Sequence, residues 1–245
     1  MHKVIKIECF QSTANYRKPL AIDIQESFKL PPYSTVIGMI HNVCGFTKYH
    51  PMKISVQGNY ASNLTDIYTR YFFGIKYEEG RHQAYTTKEN GEKDGITRGL
   101  GYVELLTDVR LVLHICCERE EDNDLIFQGL KNPKIYPALG RYEDLLQIQN
   151  VEIVEVENCN VLYLENDAYV PMEIYNNTIQ FEEANNVAGT IYNLNKNYDN
   201  EKTKKLKIRY WNKVKAKHIS KGTKLGAEDN DLLKEKNSET GIFLA

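Results

Sequence analysis

The feature that most limits how this chain can fold is a repeated switch of hydrophobic period. "KVIKIECF" (3–10) alternates apolar and polar residues, the pattern of a half-buried strand. "PPYSTVIGMIHNVCGF" (31–46) changes period: Val36, Ile37, Met39, Ile40, Val43 and Cys44 recur at helical spacing. Pro31-Pro32 block a helix upstream, Ser34 and Thr35 are capping types, and Gly45 supplies a stop, so a helix is expected from about 34 to 44. "MKISVQGNYAS" (52–62) and "LTDIYTRYFFGIKYE" (64–78) return to strand character, as does "GYVELLTDVRLVLHICCE" (101–118). "NDLIFQGLKNP" (123–133) fits a short helix that begins at an Asn or Asp cap and ends before Pro133. "LLQIQNVEIVEVE" (145–157) is again a strand.

This order places helices against a mainly antiparallel sheet, an α+β class, and the β-α-β-β-α-β sequence matches a ferredoxin-like (RRM-like) frame over 1–158. Between the inner strands lies "EGRHQAYTTKENGEKDGITRGLGY" (79–102), polar and rich in glycine, with Arg81, Lys88 and Arg98. Asn90-Gly91 and Asp94-Gly95 are hairpin signals, so a long hairpin is expected to leave the body of the domain here. After residue 158 the pattern weakens. Short strands are expected at 160–165, 168–175 and 207–217, separated by an Asn-rich stretch. Residues 159–245 read either as a small β-rich second domain or as an extension of the first sheet.

Net charge is only -2, so any surface for nucleic acid must be a local patch. One such patch is 202–221, which carries many Lys and Arg, no acid, and Tyr210 and Trp211 among the cations. Cations neutralise phosphates and rings stack on bases, although a plain solvated face has the same composition. Five cysteines without a C-x-x-C, no secretory leader and no apolar run near membrane-spanning length predict a cytoplasmic protein with reduced thiols and no membrane partner.

The six histidines form no H-x-x-x-H or H-E-x-x-H, and G-x-S-x-G is absent, so no catalytic set is expected. His114, inside "LVLHICC", reads as a packed strand residue. No Cys/His spacing matches a zinc module, and the acidic "EREEDND" (118–124) reads as a solvated loop ahead of a helix N-terminus. Neither a metal nor a cofactor is expected. "GITRGLG" (95–101) is not a nucleotide-triphosphate loop; it is either a hairpin base or bared backbone near a phosphate. "YPALGRYEDLLQI" (136–148) concentrates a Pro, a Gly and an Arg. Gly140 lets backbone approach a ligand and Arg141 offers a planar fork suited to phosphate, unless the segment is a structural turn with a surface Arg.

Taken together, "NYRKP", "FKLPPYSTVIGMIHNVCGF", the glycine-punctuated hairpin, "YPALGRYEDL" and a final "GIFL" resemble the Cas-five family of CRISPR-associated proteins, within the RAMP superfamily. The likeness is greatest to the subunit of type I-B effector (Cascade) complexes. That resemblance implies a non-catalytic subunit that grips the 5′ handle of the CRISPR RNA in antiviral defence. Its partners would be the CRISPR RNA, the backbone subunit and the large subunit, with target DNA reached indirectly. By position, Leu139, Gly140, Arg141 and Tyr142 become a glycine-rich loop beside the handle. Ser34 and Thr35 become an amide-rich helix start facing RNA, Arg17 a backbone contact, and about 78–100, with Arg81, Lys88 and Arg98, a thumb. The alternative is a metal-independent endoribonuclease of the type I-C kind, for which no Tyr–Lys–His set is evident in the sequence.

Overall fold

The computed structural model describes residues 3–21, 24–178, 187–202, 207–227 and 231–245. Its strands are β1 (Lys3–Ala14), β2 (Ile24–Gln25), β3 (Met52–Asn59), β4 (Ser62–Lys76), β5 (Ala84–Thr87), β6 (Lys93–Cys117), β7 (Gln147–Cys159), β8 (Val161–Tyr163), β9 (Asp167–Pro171), β10 (Thr190–Lys202), β11 (Lys207–Ile219), β12 (Lys224–Gly226), β13 (Leu232–Glu235) and β14 (Gly241–Ile242). The helices are α1 (Tyr33–Cys44), α2 (Glu120–Lys131) and α3 (Met172–Thr178). The class is α+β, mostly antiparallel sheet with few helices.

The central strands lie in the order β3-β6-β1-β7, each pair antiparallel, with α1 joining β1 to β3 and α2 joining β6 to β7. Alternate residues of β1 (Ile5, Ile7, Cys9) and of β6 (Leu111, Leu113, Ile115) meet the helices in one buried cluster. α1 contributes Tyr33, Val36, Ile37, Met39, Ile40 and Val43, the expected helical recurrence. It ends where Gly45 adopts φ +71 and the Phe46 N–H reaches the His41 carbonyl at 2.8 Å. Its start corrects the sequence expectation: Pro32 is the N-cap, without a side-chain cap bond, and Ser34 and Thr35 lie inside the first turn. α2 begins three residues before the expected Asn or Asp cap. The acids of "EREEDND" therefore form its first turn rather than a loop, and buried Asp122 is held by His50 at 3.0 Å and Arg119 at 2.9 Å.

The hairpin also begins earlier than its turn chemistry announced. β4 pairs with β6 from Ser62↔Thr107 to Lys76↔Asp94 and is exposed over nearly its whole length, so the projection starts some sixteen residues before 78. Asn90-Gly91 does make the tip turn, with Gly91 at φ +82. Asp94-Gly95 does not turn: both residues lie in β6, where the His82 ring occupies the space a Gly95 side chain would need. Gly101 is likewise covered by the Tyr68 ring across the ladder, so both glycines make room for aromatic rings of the same hairpin.

Beyond residue 158 most strands join the same sheet at its two edges, while β8 and β12 pair with each other as a separate two-stranded sheet. β9 and β11–β10 continue outward from β3, and β13–β14 from β7. The expected strand at 168–175 stops at Pro171 and passes into α3. The Asn-rich stretch was expected to separate strands, yet its described part forms β10, paired with β11 along its length. Leu194 and Tyr192 of β10 pack on the main core, which outweighs the poor strand propensity of asparagine. Residues 182–186 and 203–206 of the Asn-rich and basic stretches lie outside the described residues.

His114 is fully buried on the sheet face away from α1. Its Nε2–H donates to Glu235 Oε1 at 2.9 Å, and the other oxygen of Glu235 accepts from Lys6 at 3.0 Å. Burial alone would raise the Glu235 carboxyl, but the hydrogen bonds from His114 and Lys6 outweigh it and hold the group below its ordinary range. Burial pushes His114 down, keeping the imidazole neutral.

Candidate nucleic-acid interface

Register brings three expected features to one end of the sheet. β1 ends at Ala14 opposite Leu106 of β6, where the β4–β6 hairpin departs. β7 begins opposite Phe10 and Cys9 of β1, so the 137–146 loop that precedes it lies at this same end. α1 follows the segment that leaves β1 here, so its N-terminus is at this end too.

The loop is built on β1. Leu146 N–H returns to the Pro137 carbonyl at 2.9 Å, and Leu139 N–H to the Asp144 carbonyl at 3.0 Å. Buried Gln11 donates to both the Leu139 and Asp144 carbonyls at 2.9 Å and accepts from the Tyr16 hydroxyl at 2.6 Å. The Asp144 carboxylate, itself buried, accepts from the Asn15 N–H at 3.0 Å and the Arg141 N–H at 2.9 Å. Gly140 adopts φ +110, and a Cβ there would lie 2.8 Å from the Asn15 carbonyl oxygen and 2.9 Å from Asp144 Oδ2. Glycine is therefore required twice, by conformation and by contact.

The Arg141 fork has its partners inside the protein. Nε and Nη2 meet the two Asp144 oxygens at 3.1 and 2.7 Å, and Nη1 meets Glu143 at 2.9 Å. The guanidinium thus neutralises a buried carboxylate and locks the loop. Leu139 is buried beneath, while Tyr142, 89% exposed, is the loop's free ring. Sequence reasoning named Arg141 but missed Gln11, Asn15 and Asp144. Their polar types at a strand end gave no sign of a shared buried network.

Arg17 is exposed just beyond, on a backbone bridge to Ser27, and its Nη2 contacts the Ala21 carbonyl at 3.4 Å. Asn15 ties this segment to the hairpin base by donating to the Gln25 and Glu104 carbonyls at 2.8 and 2.7 Å. Gln25 also bonds the Tyr68 hydroxyl on β4. Ser34 and Thr35 sit half-buried at the α1 start. Arg81 and Lys88 lie far out on the hairpin, paired with Glu78 and Asp94 at 3.0 Å each. Arg98 is exposed there with no ion-pair partner among the described residues. The structure therefore gathers Arg17, Leu139–Tyr142 and the helix start at one end and sets the three hairpin cations apart.

A Tyr–Lys–His set does meet in space, around a cavity lined by Tyr49, Lys196 and His41. His41 Nδ1–H donates to the Ile37 carbonyl at 2.9 Å, and Nε2 accepts the His50 N–H at 3.1 Å. Both ring nitrogens are occupied, so this imidazole has no lone pair for a general base. No group of three metal-ligating side chains occurs among the described residues, and no helix there is long and apolar enough to cross a membrane.

A family model described as CRISPR-associated protein (Cas_Cas5) matches residues 4–219. The chain belongs to this family. Among solved structures, one described as a CRISPR RNA-guided surveillance complex is similar with a TM-score of 0.53 at 16% identity, over 90% of this chain and 91% of that one. This likeness is one of fold. A CRISPR protein from Archaeoglobus fulgidus is similar at 9% identity with a TM-score of 0.46, over 100% and 99% of the two chains. No curated protein matches the sequence. Family membership bears out the resemblance carried by "PPYSTVIGM" and "PALGRYEDL".

Proposed function

We propose that this family member is a non-catalytic, RNA-binding subunit of a type I CRISPR effector (Cascade) complex, of the I-B kind, acting in antiviral defence. The observation that carries the reading is the loop around Gly140, which holds the exposed Tyr142 ring at the sheet end from which the hairpin departs, with exposed Arg17 just beyond. On this reading the four central strands and two helices are a ferredoxin-like frame over 1–158, and 159–245 is its β-rich extension. The 5′ handle of the CRISPR RNA lies along residues 139–142, where the exposed Tyr142 ring stacks on a base. Arg141 acts chiefly by holding the loop's shape through Asp144, and Arg17 supplies the free cation. The hairpin is the thumb: Ile67, Tyr71, Phe73 and Leu100 expose an apolar surface suited to a neighbouring backbone subunit, with the large subunit nearby and target DNA reached only through the assembly.

The occupied ring nitrogens of His41 favour binding over RNA cleavage. Two measurements test the reading. Filter binding of handle-bearing RNA should weaken on Tyr142→Ala and on Arg17→Ala, and unchanged affinity in both removes the loop from the handle site. Labelled repeat RNA incubated with the protein in EDTA should stay intact, and a discrete product ending just upstream of the handle would replace this reading with the endoribonuclease.

A further inference from the structure

A cavity of about 390 Å³ opens between α1, the segment 46–49 and the outer half of the β10–β11 hairpin, within the usual size range of ligand pockets. From the basic, aromatic segment 202–221 it takes Trp211 as a lining residue. Trp211 and Tyr198 are direct cross-strand partners with ring centroids 5.1 Å apart, and Arg209 lies 4.7 Å from the Tyr198 ring. On the opposite wall Tyr49 lies parallel to His41, with centroids 5.8 Å apart. Rings therefore face the space from both sides, and Trp211 and Tyr49 remain partly exposed.

The charge is one-sided. Lys48 and Lys196 line the cavity and no carboxylate does. Lys196 is half-buried, and no carboxylate pairs with it among the described residues. It also borders a second groove of about 440 Å³ with Lys53, Lys213 and Lys215, whose wall carries one acidic side chain, Glu173, and the last residue, Ala245. Burial and the neighbouring Lys53 push the Lys196 ammonium down, and the nearby Glu118 carboxylate, which acts the other way, is outweighed. Aromatic faces beside unpaired ammonium groups suit a flat ring joined to an anion.

We propose that this cavity binds one unstacked nucleotide of single-stranded RNA, its base against Trp211 and Tyr49 and its phosphate on Lys196. The strand continues over Lys53, Lys213 and Lys215. The site rests on the reading of the chain as RNA-binding but is separate from the 137–146 loop. Because both His41 nitrogens are occupied, the nucleotide is held there, not cut.

The test uses the chain's only tryptophan. A short single-stranded RNA lacking the handle sequence should quench Trp211 emission on titration into the full chain. Lys196→Ala should weaken this on the order of tenfold, the scale of one charged contact. Trp211→Ala, read by filter binding, should lose a similar factor, the scale of one stacked base. RNA bound with unaltered emission and unchanged affinity in both variants overturns the cavity while leaving RNA binding at the loop intact. No RNA bound in either assay overturns both. Quenching by adenosine monophosphate at the concentrations where the RNA acts would assign the site to a free nucleotide and refute the strand.

Discussion

Gly140→Ala isolates the physics on which the loop depends. A side chain at φ +110 carries backbone strain of about 1–3 kcal/mol. The new Cβ would also lie 2.8 Å from a main-chain oxygen, that of Asn15, which cannot rotate away as a side-chain tip could. Its second contact, at 2.9 Å, is Asp144 Oδ2, which already accepts from the Asn15 and Arg141 amides. Relieving the overlap moves the loop off β1 or distorts that network, at about 1–3 kcal/mol for overpacking. The combined loss is about 2–6 kcal/mol, or a fall in Tm of about 4–24 °C for a chain of this size. Urea and thermal unfolding followed by circular dichroism measure it. Gly91→Ala is the matched control: φ is +82, but nothing lies within 4 Å of the added carbon, so about 1–2 kcal/mol of conformational strain is the whole effect. If Gly140→Ala unfolds like Gly91→Ala, close approach to Asn15 does not hold the loop and the account of the site is wrong. If it is destabilised as expected, handle RNA should bind more weakly in the same preparation.

Arg141→Ala should destabilise the fold by about 1–3 kcal/mol, because buried Asp144 loses its fork-shaped partner. Arg141→Lys should recover only part of this, and full recovery in urea titrations would refute the two-point clamp. Stability should fall as pH drops from about 7 to about 5. The unfolded chain then binds a proton at residue 114 near the ordinary histidine value, whereas the folded state keeps His114 neutral to lower pH. Glu235 acts in the same direction at lower pH. Its folded value is depressed, so its contribution is complete above the ordinary carboxylate range and is lost as pH falls through the folded value. His114→Gln should flatten the first part of the profile, and an unchanged slope in thermal melts would show that His114 does not govern it.

The sequence by itself determined the α+β class, the order strand–helix–strand–strand–helix–strand, α1 nearly to the residue, and the family. These are encoded by local periods and by contiguous motifs such as "PPYSTVIGM" and "PALGRYEDL". Such signals survive because each is read within one element. Only the tertiary structure decided that Arg141 faces Asp144, that Asp94-Gly95 lies under His82 instead of turning, and that Asn-rich 190–202 is a strand. Each of these depends on what long-range pairing sets opposite a residue: the end of β1 beneath the loop, β11 beside β10, and a ring across the hairpin from a glycine. A turn dipeptide and a glycine shielded by an aromatic ring have the same spelling. An arginine that meets a phosphate and one that holds a buried carboxylate have the same spelling too, and the fold supplies the partner that separates them.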